Sequence, residues 1–312
     1  MLEKPNRFSS LFWLVLLILL LLSACAGEQQ TREIPTSPLA QEEKPALVLP
    51  SLTVTQTSVI IPGSPPPSLH PQSLECLDQS GSIIRYQNGE NAAGLSGTIY
   101  LPPCYGLDPE QRYPTLYLLH GATETDQQWG NLGIIEAADR LIAGSSIPPM
   151  IIIMPLELTW VELPENPFGD YLIAELIPWV DHEYLTLADR ENRAIGGLSR
   201  GGNWAVRIGL LHWALFGTIG AHSTPLFFGD LNRMPGWIEG IPVARLPRIY
   251  LDIGRDDTNL EATENFIEIL SELDVPYSWI VNSGLHDEIY WSDHLDEYLL
   301  WYGSGWQDLV DN

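Results

Sequence analysis

From Tyr113 onward, short apolar runs alternate with longer stretches in which apolar residues recur every three to four positions. The short runs are Tyr113 to Leu119, Met150 to Met154, Arg193 to Gly196, Phe216 to Gly220, Arg248 to Ile253 and Tyr277 to Val281. Near-continuous apolar strands of this kind are expected in a parallel sheet buried on both faces. The helix-like stretches between them are Ile134 to Ala143, Asp170 to Tyr184, Gly202 to Leu215, Asn259 to Leu273 and Glu288 to about Tyr302. Regular strand–helix alternation predicts an α/β fold, a mostly parallel, doubly wound sheet with helices on both faces. Ser82 to Leu101 instead alternates apolar and polar residues, so antiparallel strands are expected at the start of the domain.

The N-terminus has a different pattern. Lys4 and Arg7 precede Leu11 to Leu22, an unbroken apolar run of 12 residues. A bilayer span needs about 20 such residues, so the run reads as the core of an export signal, residues 1–24. It closes on Leu22-Ser23-Ala24-Cys25, which resembles a bacterial lipobox with Cys25 as the lipidated first mature residue. Residues 25–72 are rich in Pro, Ser and Thr, with Pro62, Pro65, Pro66, Pro67 and Pro71 opposing helix and strand. They read as an extended tether. The expected arrangement is an exported domain, cell-surface or periplasm-facing, whose membrane contact is the lipid alone.

Residues 73–312 suit a single α/β domain with a sizeable core. With Cys25 lipidated, Cys76 and Cys104 form an even pair in an oxidising compartment, and a disulfide between them is expected. The net charge of −25 argues against nucleic acid as a partner, because phosphate binding needs a basic surface. Asp256-Asp257 and Asp287-Glu288 read as solvated surface and site chemistry rather than metal ligands, and neither metal nor cofactor is expected. Nothing in the sequence assigns an oligomeric state.

Candidate chemistry centres on Gly197-Leu198-Ser199-Arg200-Gly201, a Gly-x-Ser-x-Gly placed between a strand-like and a helix-like run. Strand–turn–helix context distinguishes a nucleophile elbow from a chance match, since the sharp turn needs small neighbours and lifts one hydroxyl above the sheet. A serine nucleophile needs a histidine to take its proton and a carboxylate to orient that histidine, here in the chain order Ser, acid, His. Asp252, Asp256 and Asp257 are the candidate acids. Asp257 is favoured because it follows the strand end, whereas Asp252 lies inside the strand. His286, in a loop just past a strand and two residues after Gly284, is the favoured base over His294 and over His222, which precedes the acid. His70, His182 and His212 lack such context.

A second feature is the apolar strand that ends in His120-Gly121-Ala122. Stabilising a tetrahedral oxyanion takes two preorganised N–H donors, one from the residue after the nucleophile and one from the loop after this earlier strand. Arg200 and Ala122 are the expected donors, with Gly121 as second choice for the latter. His120, Gly121, Trp129 and His222 are candidates for lining the substrate cleft, although His120 reads more readily as a buried residue pinning the loop.

These motifs resemble the esterase D and feruloyl esterase-like branch of the α/β-hydrolases. The likeness rests on Tyr117-Leu118-Leu119-His120-Gly121 with Trp129, Glu175-Leu176-Ile177-Pro178, Gly197-Leu198-Ser199-Arg200-Gly201-Gly202, Gly254-x-x-Asp257 and Gly284-x-His286, and spans roughly Ile99 to Trp301. It implies Ser199 as nucleophile, Asp257 as acid, His286 as base, and a serine carboxylesterase acting on acyl or feruloyl esters, carbohydrate-linked or siderophore-type. A mycolyltransferase-like acyl transfer and a non-catalytic binding lipoprotein are the alternative expectations. Arg200 departs from the methionine common at this position. Its guanidinium is expected either to reach the cleft and favour anionic or hydroxyl-rich substrates, or to form a surface salt bridge. Two aromatic-bearing inserts, Leu156 to Gly169 and Thr224 to Ala244, are expected near the substrate entrance.

Overall fold

The computed structural model describes residues 76–77, 79–87, 96–157, 163 and 166–307. The expected signal segment, Cys25 and the tether lie outside the described residues.

The described strands form one eight-stranded sheet. They are β1 (Ser82–Gln87), β2 (Ser96–Leu101), β3 (Thr115–Leu119), β4 (Ile151–Pro155), β5 (Arg193–Leu198), β6 (Thr218–His222), β7 (Arg248–Gly254) and β8 (Ser278–Asn282). Their spatial order is β1-β2-β4-β3-β5-β6-β7-β8. β1 and β2 are antiparallel, and β2 is antiparallel to β4; the six strands β3 to β8 are mutually parallel. This is the α/β-hydrolase arrangement anticipated from the sequence.

Apolar strands appear here because both faces of the sheet are covered. Along β3, Leu116 and Leu118 enter one core with Ile152, Met154 and Ala194. Tyr117 and Leu119 enter the opposite core with Ile151, Ile153 and Ile195. Side chains of successive strand residues point to opposite faces, so a strand covered on both sides must be apolar throughout.

Helices supply the covers. α1 (Gln128–Leu132) leads into α2 (Ile134–Ala143), which buries Ile134, Ala137, Ala138, Leu141 and Ile142 at helical spacing. α3 (Phe168–Tyr171) and α4 (Ile177–Glu183) are joined by a wide π-type turn, Leu172–Leu176, where one amphipathic helix was expected. Pro178 explains the interruption: a proline ring clashes with the carbonyl four residues back, and the wider turn makes room. Further α-helices among the described residues are α5 (Arg200–Leu211), α6 (Met234–Glu239), α7 (Leu260–Glu272), α8 (Glu288–Asp293) and α9 (Leu295–Ser304). The closing helix breaks at His294, whose Nδ1 lies 2.6 Å from the carbonyl oxygen of Tyr290. His294 is half-buried rather than a surface residue.

Cys76 and Cys104 form the expected disulfide, their Cα atoms 5.3 Å apart. It pins the segment leading into β1 against the end of β2.

Candidate active site

The parallel strands end on a common edge, where open α/β sheets hold their ligands. Leu119 pairs with Gly197, Leu198 with His222, His222 with Asp252 and Gly254 with Asn282. That register places the residues just past β3, β5, β7 and β8 side by side: His120–Ala122, Ser199, Asp257 and His286.

Ser199 is held at φ 52° and ψ −120°, a conformation in which few residues other than glycine are found. It caps α5 and projects its hydroxyl above the sheet. The glycines of the motif exist because backbone approaches backbone there. A Cβ on Gly197 would overlap the main chain of Gly201, and a Cβ on Gly201 would overlap the carbonyls of Leu119 and His120. The Ser199 N–H donates to the His222 carbonyl at 2.8 Å, anchoring the elbow to the neighbouring strand.

The structure brings the three favoured residues into one hydrogen-bonded line. Ser199 Oγ lies 2.9 Å from His286 Nε2, and His286 Nδ1 lies 2.8 Å from Asp257 Oδ2. The Asp257 side chain is fully buried, while the His286 side chain is 27% exposed. Asp257 Oδ1 also accepts the Asn259 N–H at 2.8 Å. Asn259 Nδ2 sits 3.1 Å from the same imidazole nitrogen. Trp291 packs edge-on against the His286 ring at 5.0 Å. Asp256 is exposed and takes no part.

Ser199 opens into a cleft of about 260 Å³ lined by Gly121, Ala122, Leu198, His286 and Trp291, with Glu124, Asp287 and Glu288 among its acidic groups. The Gly121 N–H is occupied by Gln128 Oε1 at 2.8 Å, so Gly121 is not an oxyanion donor. Ala122, the next residue, lines the same cleft. Arg200 begins α5, a position from which backbone N–H groups point out of the helix end.

Several expected cleft residues lie elsewhere. His222 is completely buried, with Nδ1 2.6 Å from Asp252 Oδ1 and Nε2 3.1 Å from the Tyr302 hydroxyl. Asp252 Oδ2 accepts the Tyr290 and Tyr298 hydroxyls at 2.7 and 2.9 Å. His222 and Asp252 are therefore the centre of a buried polar cluster beneath the site, satisfied internally as such groups must be. Burial beside the Asp252 carboxylate pushes the Tyr298 and Tyr290 hydroxyls far above their ordinary value of 10.0.

Trp129 is also buried, its indole N–H donating to the Leu119 carbonyl at 3.0 Å, so it braces the strand end rather than touching a ligand. His120 is buried, with Nδ1 2.8 Å from the Gly121 carbonyl and Nε2 accepting the Glu157 N–H at 2.9 Å. It pins the loop. Burial lowers its pKa below the ordinary 6.5, which suits a ring that must accept a hydrogen bond. Arg200 neither enters the cleft nor reaches the surface. Its guanidinium forms a buried ion pair with Glu157, Nη2 to Oε1 at 2.9 Å, and lies 5.3 Å from the Phe227 ring centroid.

Phe227 packs on Trp204 and Met234 is buried, so much of the second insert rests on the scaffold, whereas Phe228 is fully exposed. Trp160 and Pro164 of the first insert lie outside the described residues. Sequence reasoning missed Gln128, Glu157, Asn259 and Trp291. For Glu157 a signal existed: a carboxylate just past the end of a buried strand.

Comparison with known proteins agrees with this geometry. The chain is 31% identical over 217 residues to an endo-1,4-beta-xylanase/feruloyl esterase of Xylanibacter ruminicola, a match covering 65% of this chain and 28% of that protein. It is 26% identical over 221 residues to an acetyl esterase of Caldicellulosiruptor saccharolyticus, covering 60% of this chain and 82% of that one. The chain thus spans less than a third of the xylanase/esterase and most of the acetyl esterase. A solved ferulic acid esterase superposes with a TM-score of 0.65 at 25% identity, over 72% of this chain and 99% of its own. A family model described as "Putative esterase" matches residues 94–302, about two thirds of the sequence. On fold, site geometry and this match together, the chain belongs to the esterase family of the α/β-hydrolase superfamily.

Proposed function

We propose that this protein is a serine carboxylesterase that hydrolyses acetyl or feruloyl-type esters of carbohydrates through Ser199, His286 and Asp257. The observation that carries the reading is the Ser199–His286–Asp257 line, with spacings of 2.9 and 2.8 Å, at the edge of an open cleft. The activities named for the relatives support the acyl classes.

In this mechanism Ser199 Oγ attacks the ester carbonyl while His286 Nε2 takes its proton. The Asp257 carboxylate holds the ring and stabilises the imidazolium. The Ala122 and Arg200 N–H groups receive the oxyanion. His286 returns the proton to the departing alcohol oxygen as the carbonyl–oxygen bond breaks, leaving an ester on Ser199. Water then attacks that ester, giving its proton to His286, and releases the acid. Leu198 and Trp291 offer the acyl group an apolar wall, and Glu124, Asp287 and Glu288 favour neutral over anionic esters by charge repulsion.

The test is hydrolysis of p-nitrophenyl acetate and methyl ferulate by the wild type and by Ser199→Ala. Loss of turnover in the variant is expected; retained turnover would place the nucleophile elsewhere. For location, the lipobox-like sequence supports export with lipidated Cys25 as the anchor. Labelled palmitate should be incorporated into the wild type and not into Cys25→Ser.

A further inference from the structure

We infer that Glu157 is a positioning residue for the oxyanion hole: its backbone and its carboxylate tie together the two chain segments that present the N–H donors. The inference rests on the esterase reading above and extends it to a residue two positions beyond β4, 4% exposed.

The first tie runs through His120. A backbone N–H can only donate, so the Glu157 N–H makes Nε2 of His120 the accepting nitrogen. The ring proton then sits on Nδ1 and is donated to the Gly121 carbonyl at 2.8 Å. That carbonyl and the Ala122 N–H belong to one planar trans peptide unit, so fixing the direction of C=O fixes the opposite direction of N–H. Gln128 Oε1 holds the other side of Gly121 by accepting the Gly121 N–H. The Ala122 N–H is thereby aimed by contacts that trace back to Glu157.

The second tie is the carboxylate. Arg200 Nε lies 3.1 and 3.0 Å from the two Glu157 oxygens, and Nη2 lies 2.9 Å from Oε1. Asn166 Nδ2 donates to Oε1 at 2.8 Å. Fork-like pairing of this kind constrains orientation as well as distance. It holds the residue whose backbone N–H is the second donor. The ion pair also neutralises a buried carboxylate that would otherwise oppose the developing oxyanion.

The test compares Glu157→Gln, Arg200→Met, the double variant and His120→Asn. Rates are expressed per active site titrated with a fluorophosphonate. A trifluoromethyl ketone, which forms an oxyanion on the serine, serves as a transition-state probe. Glu157→Gln and His120→Asn should lower kcat about 10- to 100-fold, with KM within about 3-fold and ketone affinity falling in step with kcat. Arg200→Met, which leaves the buried carboxylate without its cation and with only the Asn166 amide among the contacts above, should lose more than the double variant. Should Glu157→Gln fail to fold, His120→Asn still tests the first tie, because it leaves the ion pair in place. Unchanged kcat and ketone affinity beside a lowered Tm would overturn the inference, since the pair would then serve folding only. A wild type with no esterase activity would instead sink the esterase reading and this inference with it.

Discussion

Replacing Asp257 by asparagine is a sharp test of the site, because the surroundings dictate how the amide must sit. Asp257 Oδ1 accepts the Asn259 N–H at 2.8 Å. An amide there must keep its oxygen on that donor, which turns its NH₂ toward His286 Nδ1. The imidazole must then accept at Nδ1 and carry its proton on Nε2, the atom 2.9 Å from Ser199 Oγ. In that tautomer it cannot take the serine proton. The comparable change in a Ser-His-Asp protease lowers kcat about 10⁴-fold, or about 5.5 kcal/mol of transition-state stabilisation. The assay is kcat on p-nitrophenyl acetate at neutral pH, with Tm measured to establish folding. Asp256→Asn is the control: that residue is exposed, and at least half the activity should remain. A loss under about 10-fold in a folded Asp257→Asn would refute the assignment. Collapse in the Asp256 variant would move the acid role there.

Other expectations follow from packing and protonation. Gly201→Ala drives a methyl group into the carbonyls of Leu119 and His120; it should cost about 3 kcal/mol and lower Tm by about 6–12 °C, as a melt would show. Reducing the Cys76–Cys104 bridge, whose ends are 28 residues apart, should cost about 3.5 kcal/mol and about 7–14 °C in Tm; a melt unmoved by reductant would contradict this. The pKa of His120 is depressed below its ordinary 6.5 by burial. Its contribution is therefore whole above pH 6.5 and is lost as pH falls through that value toward the folded-state one, because the unfolded chain then binds a proton the folded chain does not. Half-buried His212 has the same sign. Melts between pH 5 and 8 should show a smaller acid-side loss in His120→Asn than in the wild type, and parallel curves would contradict the reasoning.

The parts legible in the sequence share one property: they are local. An apolar run with a fixed repeat reports its own burial, so the parallel strands and helix α2 could be placed from pattern alone. The strand–turn–helix at Ser199 was legible because strand, glycine-flanked serine and helix adjoin in the chain; chain order then set His222 aside, and the loop just past a strand favoured His286 over His294. The acid is different. Asp252, Asp256 and Asp257 lie within six positions, and only the register of β7 against β6 and β8 sends the first into the tyrosine cluster, the second to solvent and the third to His286. His222 and Trp129 were expected in the cleft for the same reason: their neighbours in sequence lead to the site while their side chains turn beneath it. Glu157 and Arg200 stand 43 positions apart, and nothing local in either announces the other. A buried charge is tolerated only where a partner meets it, and which partner does so is decided by how β4 and β5 flank β3 in the sheet. The pattern along the chain placed the strands and most of the helices and singled out Ser199 as the candidate nucleophile, followed in the chain by an acid and then a histidine. Only the tertiary structure decided which carboxylate meets His286, where the arginine's charge goes and what holds the Gly121 carbonyl, because those depend on distances between strands that come together only on folding.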